Sequence, residues 1–273
     1  MIHLLTKNWP AGFALICAIV PQQVLAASSP WEVTDGARLR MLVEPAEPGR
    51  SDMRGLLQIE LEPGWKTYWR EPGSAGIPPQ ISIDSDAIEA VEIHYPAPEW
   101  SDDAYGSWAG YKQPVALPLT FTLSGGATPQ AVAADVFLGI CHDVCVPVSV
   151  RFEVTPNDGR GHAMQKLLLN AAFDALPRGN TERLAIDSAT WTTDGSIEIT
   201  LHHASAEAEP QLFVSAGSTY PFKKPVRVTS DDSSTTFRIE PAFDPAEAGD
   251  LDLLVTARKG IDAVETSLTV PAP

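Results

Sequence analysis

Two cysteines with three residues between them are the side chains best suited to chemistry in this 273-residue chain. They lie in Phe137-Leu138-Gly139-Ile140-Cys141-His142-Asp143-Val144-Cys145-Val146-Pro147. The third cysteine, Cys17, falls in an N-terminal stretch with the anatomy of a secretory signal peptide. That stretch has a short leading region carrying Lys7, an apolar run from Ala11 to Val20, and a small-residue exit at Val24-Leu25-Ala26-Ala27. The run is too short to span a bilayer. Residues 1–26 are therefore expected to be removed near Ala26, which leaves Cys141 and Cys145 as the cysteines of an exported protein.

Spacing alone leaves three uses for such a pair: a redox centre, a structural staple or metal ligands. A disulfide stabilises mainly by restricting the unfolded chain, and a five-residue loop yields only about 2 kcal/mol. Sandwich domains that need a staple tie sequence-distant strands across the core. Cys141 and Cys145 do not. A tight ring is easier to reduce, which suits a pair cycling between dithiol and disulfide.

Composition narrows the partners. The formal charge is −16, and loss of the leader removes Lys7 and no acid, giving −17. The sequence pI is about 4.6. Nucleic acid is excluded as a natural partner, because phosphate binding needs basic stripes. The 24 prolines and 19 glycines are dispersed, as turns between short strands require. His202-His203 are neighbours on a strand pattern and face opposite sides, a poor arrangement for one metal. No metal site and no bound cofactor is expected, the disulfide itself being the redox group.

The elements that position the cysteines follow from hydrophobic alternation. Strands are expected at 38–43, 56–61, 80–83, 90–94, 115–123, 131–140 and 146–154, an antiparallel sandwich. Residues 161–177 place Met164, Leu167, Leu168, Ala171, Ala172 and Leu176 at helical spacing before Pro177 and Gly179. Strand patterns resume at 196–201, 211–214, 226–228, 236–239, 251–257 and 263–270. The expected organisation is a redox domain at 31–155, a helical linker at 156–180 and a second small β-sandwich at 181–273. Within it, Cys141 ends one strand and Cys145 begins the next, so the pair sits at a hairpin tip with His142-Asp143-Val144 as the turn.

Three stretches resemble the N-terminal periplasmic domain of the thiol:disulfide interchange protein DsbD and its ScsB-type relatives. They are Glu62-Pro63-Gly64-Trp65-Lys66-Thr67-Tyr68-Trp69-Arg70-Glu71-Pro72-Gly73, then Pro96-Ala97-Pro98-Glu99-Trp100-Ser101-Asp102-Asp103-Ala104-Tyr105-Gly106 with Tyr111 and Leu117-Pro118-Leu119, then Gly139-Ile140-Cys141 through Cys145-Val146-Pro147. The resemblance implies an all-β, immunoglobulin-like sandwich in the periplasm, acting as a protein-disulfide reductase type of oxidoreductase. It implies a cysteine pair that relays electrons from a membrane-embedded thiol reductase to thioredoxin-fold proteins. Cys145 maps to the sulfur that engages partners and Cys141 to its resolving cysteine. A cap loop maps to Asp102-Asp103-Ala104-Tyr105-Gly106. Where the family often has an aromatic before the Tyr-Gly, this chain has Ala104, so Tyr105 or Trp108 is expected to shield the pair, with Trp69 beside it. The chain ends at Pro273 with no membrane or thioredoxin-like domain, so the reductant is expected to be a separate protein.

The residues also carry a chemical expectation of their own. Asp143, with Asp102 and Asp103 above, should raise the thiol pKa and keep a reduced pair largely protonated. His142 is expected to be an exposed turn residue. Two alternatives stand beside the redox reading. One is a periplasmic copper-binding protein using Cys141, Cys145 and His142, since soft thiolates favour Cu(I). The other is a non-catalytic sandwich module with a structural disulfide.

Overall fold

The computed structural model describes residues 27–73, 76–104, 106–156, 163–204, 208–217 and 219–273. The expected signal segment and Tyr105 lie outside these. In chain order the strands of the first half are β1 (Ala27–Ser28), β2 (Glu32–Thr34), β3 (Ala37–Val43), β4 (Asp52–Leu61), β5 (Thr67–Tyr68), β6 (Gln80–Ile83), β7 (Ile88–Ile93), β8 (Glu99–Asp103), β9 (Gly106–Tyr111), β10 (Val115–Leu123), β11 (Val132–Cys141) and β12 (Cys145–Val154). Helix α1 (Ala163–Asp174) follows. The second half holds β13 (Leu184–Trp191), β14 (Ile197–His203), β15 (Gln211–Ser215), β16 (Val226–Ser230), β17 (Ser234–Ile239), β18 (Leu251–Lys259) and β19 (Asp262–Val270).

The first half is an antiparallel sandwich. One sheet runs β1-β3-β4-β10-β7, with β2 on β3, and the facing sheet runs β12-β11-β6. Leu39, Met41, Leu57, Ile59, Leu117, Leu119 and Phe121 of the first sheet meet Val136, Leu138, Ile140, Val148 and Phe152 of the second in one buried cluster. This is the period-two alternation read from the sequence, converted into two inner faces. A third, small sheet, β5-β9-β8, was not expected. Its strands are short and carry no alternating apolar pattern.

Helix α1 does more than link. It covers the outer face of the first sheet, where Leu42 and Leu56 pack with Leu169 and Ala172. The expected apolar stripe is rotated: Met164 and Leu167 are exposed, while Gln165, Leu169 and Ala172 are buried. The reason is the patch being covered, which is a narrow Leu42/Leu56 ridge that one turn-and-a-half of helix suffices to seal. Among the described residues no helix is long and apolar enough to cross a membrane.

In the second half, β13-β14-β17-β16 and β15-β18-β19 enclose a second buried cluster around Ile197, Ile199, Leu201, Leu212, Phe237, Leu253 and Val255. Phe213, fully buried, leaves that half and joins the first cluster instead.

Candidate functional site

Cys141 and Cys145 close the β11–β12 hairpin opposite each other in register, bonded as a disulfide with their Cα atoms 4.1 Å apart. The phase of the ladder explains why they can meet. Both backbone groups of Cys141 turn away from β12: its N–H donates to the Lys66 carbonyl and its carbonyl accepts from the Lys66 N–H, each at 2.9 Å. Cys141 and Cys145 are therefore a non-hydrogen-bonded pair, the kind in which opposing residues approach most closely. The turn His142-Asp143-Val144 is closed by the His142 N–H donating to the Val144 carbonyl at 3.3 Å.

Alternation sends the even residues of β11 and β12 into the core and the odd ones, cysteines included, to the opposite face. On that face Asp135, Phe137, Ser149 and Arg151 are exposed, yet Cys141 is only 1% exposed. The small sheet makes the difference. Tyr68 and Trp108 lie over Cys141 in one buried cluster, edge to face with ring centroids 5.9 Å apart. Cys145, at the rim of the same cluster, keeps partial exposure. Gly139 allows this lid to come close. A Cβ there would stand 3.0 Å from Ile77 Cβ and 3.3 Å from Tyr68 Cδ2. Gly110 does the same on β9, where a Cβ would fall 2.2 Å from the Thr67 carbonyl oxygen.

The Tyr68 hydroxyl lies 3.0 Å from Cys145 Sγ. A disulfide sulfur carries no proton, so the hydroxyl is the donor. Burial first, and Asp103 second, raise the Tyr68 pKa, which keeps that proton in place. A cleft of about 250 Å³ opens beside Cys145, lined by Lys66, Tyr68, Asp103, Ser107, Trp108 and the turn residues His142 to Val144. Lys66 Nζ sits 4.5 Å from the Trp108 ring centroid and pairs with the Asp103 carboxylate.

The expected rim residues are distributed as follows. Asp102, Asp103 and Trp108 belong to the β8–β9 hairpin that forms the lid, with Asp103 and Trp108 facing the cleft. Trp69 is not beside the disulfide. It follows Tyr68 in sequence, points the other way and is buried in the main core against Phe213, with ring centroids 5.6 Å apart. Tyr105 lies outside the described residues. The acidic pair is met by cations. Asp103 is matched by Lys66, and Asp102 accepts from the Ser107 hydroxyl and, at 3.0 Å on each oxygen, from Lys224. Those two contacts hold the Asp102 carboxyl below its ordinary range. Cations thus offset the charges expected to burden a thiolate. His142 is half-exposed, 3.0 Å from the Asp143 carboxylate and against the Trp65 ring. Among the described residues no three His, Cys, Asp or Glu side chains gather as a metal site.

The side chains at or beside the site that the sequence did not single out are Lys66, Tyr68 and Lys224. The first two stand inside a quoted motif, and their spacing to a distant hairpin carries no local signal.

The site is thus a lidded, unevenly exposed cysteine pair at the hairpin end of a β-sandwich. Residues 43–157 match the family described as thiol:disulfide interchange protein DsbD, N-terminal. The fold of the chain also matches the crystal structure of the N-terminal periplasmic domain of ScsB from Proteus mirabilis. The TM-score is 0.73 at 20% identity, over 90% of this chain and 99% of that one, a likeness of fold that extends to both halves. The conserved domain protein from Bacillus anthracis aligns over 90% of each chain at 10% identity with a TM-score of 0.25, too low to carry any argument. Comparison with curated proteins found no match.

Proposed function

We propose that this chain is a periplasmic thiol–disulfide exchange protein that relays electrons through Cys141 and Cys145. Residues 1–26 act as its export signal, and residues 31–155 as the redox domain. The observation that carries this reading is the unequal burial of one disulfide: Cys141 is sealed under Tyr68 and Trp108, while Cys145 faces a cleft.

In the charging half-reaction, a thiolate of a membrane-linked dithiol donor attacks Cys145 Sγ. The Cys141–Cys145 bond breaks, Cys141 leaves with the electron pair and takes a proton, and a mixed disulfide forms on Cys145. The donor's second thiol resolves that bond, leaving the donor oxidised and both cysteines reduced. In delivery, the Cys145 thiolate attacks the disulfide of an oxidised thioredoxin-fold protein. Cys141 then displaces the partner, which departs with two electrons and two protons as the internal disulfide re-forms. Exchange requires in-line approach to the attacked sulfur, which the cleft permits at Cys145 and the lid denies at Cys141.

Trapping in the native compartment tests this. A Cys141→Ser variant should accumulate mixed disulfides through Cys145, whereas Cys145→Ser should accumulate none. Equal trapping by both, or trapping through Cys141 alone, overturns the assignment.

A further inference from the structure

The lid over the disulfide is not self-supporting. Its sheet consists of strands of two, five and six residues, and so small a unit is marginal without something to pack on. Its outer strand, β8, is fastened to the second half of the chain. At the root, the Trp100 indole stacks on Phe213 with centroids 5.5 Å apart and planes 8° apart. Trp100 Nε1 donates to the Leu212 carbonyl at 2.8 Å, and the Trp100 backbone N–H donates to Gln211 Oε1 at 3.2 Å. At the tip, Lys224 Nζ reaches both oxygens of Asp102. Between root and tip lies a cavity of about 430 Å³, bounded by Trp100 and Ser107 on the lid and by Phe222, Lys223 and Lys224 beyond it. The Lys224–Asp102 pair spans that gap.

Neighbouring residues of a strand point to opposite faces, and the tip uses both. Asp103 is gripped by Lys66 on the disulfide side and Asp102 by Lys224 on the far side. The end of β8 is thus tied on both of its faces.

We infer that residues 181–273 serve as a clamp for the lid, and that Lys224 is a positioning residue for exchange, setting how often the small sheet that carries Tyr68 and Trp108 uncovers the disulfide. This rests on the exchange function proposed above. The root is partly buried and is built on the fully buried Phe213 ring. The tip pair is largely exposed, at 34% for the Lys224 side chain and 67% for Asp102, so it is weak, screened by salt and releasable by a docking partner.

The test measures the rate at which dithiothreitol reduces Cys141–Cys145 in the full chain, read by alkylation and mass shift at low and high ionic strength. Lys224→Ala should raise the rate about two- to fivefold, the scale set by exposed ion pairs. Lys224→Arg should behave as wild type, and Lys224→Asp combined with Asp102→Lys should restore the slow rate. High salt should speed the wild type towards the Lys224→Ala rate and leave that variant unchanged. A Lys224→Ala rate equal to or below wild type, an arginine variant that behaves like alanine, or equal salt effects on both proteins overturns the clamp. A wild-type disulfide that dithiothreitol reduces only on unfolding overturns the exchange function, and the clamp with it.

Discussion

Replacing Tyr68 by Phe removes one hydroxyl from a buried ring and leaves the lid's packing on Cys141 and Trp108 in place. In the oxidised protein that hydroxyl donates to Cys145 Sγ at 3.0 Å. After reduction the same donor faces a thiol or a thiolate, and it favours the thiolate. Hydrogen bonds to charged groups contribute about 1.5–3 kcal/mol, and the lower end applies because Cys145 is partly open to water. At 1.36 kcal/mol per unit, loss of the donor should raise the Cys145 pKa by about one unit. The assay is the pH dependence of iodoacetamide alkylation in the Cys141→Ser background, expressed without residues 1–26 so that Cys145 is the single thiol. Tyr68→Phe should shift the alkylation curve to higher pH and slow reaction at neutral pH about tenfold. An unchanged or lowered pKa would refute the placement of Tyr68 as the thiolate's donor and leave Lys66 as the group to examine.

Removing the disulfide with Cys141→Ser and Cys145→Ser together should cost about 2 kcal/mol or less, because the loop it closes is so short. Urea unfolding monitored by circular dichroism checks this, and global unfolding on reduction would instead mark a structural staple. Phe213→Ala should cost about 3–5 kcal/mol, the usual loss for a buried ring. It should also speed reduction of the disulfide by loosening the stack under Trp100; a loss below 1 kcal/mol in the same unfolding assay would contradict the buried position of the ring. Burial raises the pKa of Glu71 above its ordinary 4.5, against a hydrogen bond from Ser215 that lowers it. A raised carboxylate adds stability below its unfolded pKa and loses it as pH climbs through the folded value. Glu71→Gln should therefore raise Tm at pH 7 and give no gain below pH 4, and a variant less stable than wild type at neutral pH would show the sign to be wrong.

The two main sheets were legible because their inner faces alternate with polar positions over most of their length, the α1-covered Leu42 and Leu56 excepted. Leu39, Met41 and Val43 alternate with exposed or half-exposed partners at Arg38 and Arg40, and Val132 to Ile140 repeat the pattern. The hairpin end at Cys141 and Cys145 followed directly from those strands. The lid did not. β5 is two residues long, so nothing in Thr67-Tyr68-Trp69 tells which aromatic faces the cysteines and which the core. That phase is set by pairing with Gly110 and Tyr111, more than 40 positions away. Lys224 reaches Asp102 across 122 positions, a contact that no local pattern encodes. The stripe of α1 was misjudged because spacing admits several faces, and the ridge it meets selects one.

The same ladder phase that brings the sulfurs together leaves β12 as the outermost strand of its sheet, with the backbone groups of its odd-numbered residues turned outward. A bare edge of this kind is a template for unwanted strand pairing between copies of a protein. Here it is interrupted almost at once. Pro147 offers no N–H, and further along Arg151 is surrounded by Asp84, Asp135 and Glu153. Pro147 and the Arg151 charge cluster therefore shorten the stretch of this edge that could serve as a template for another strand.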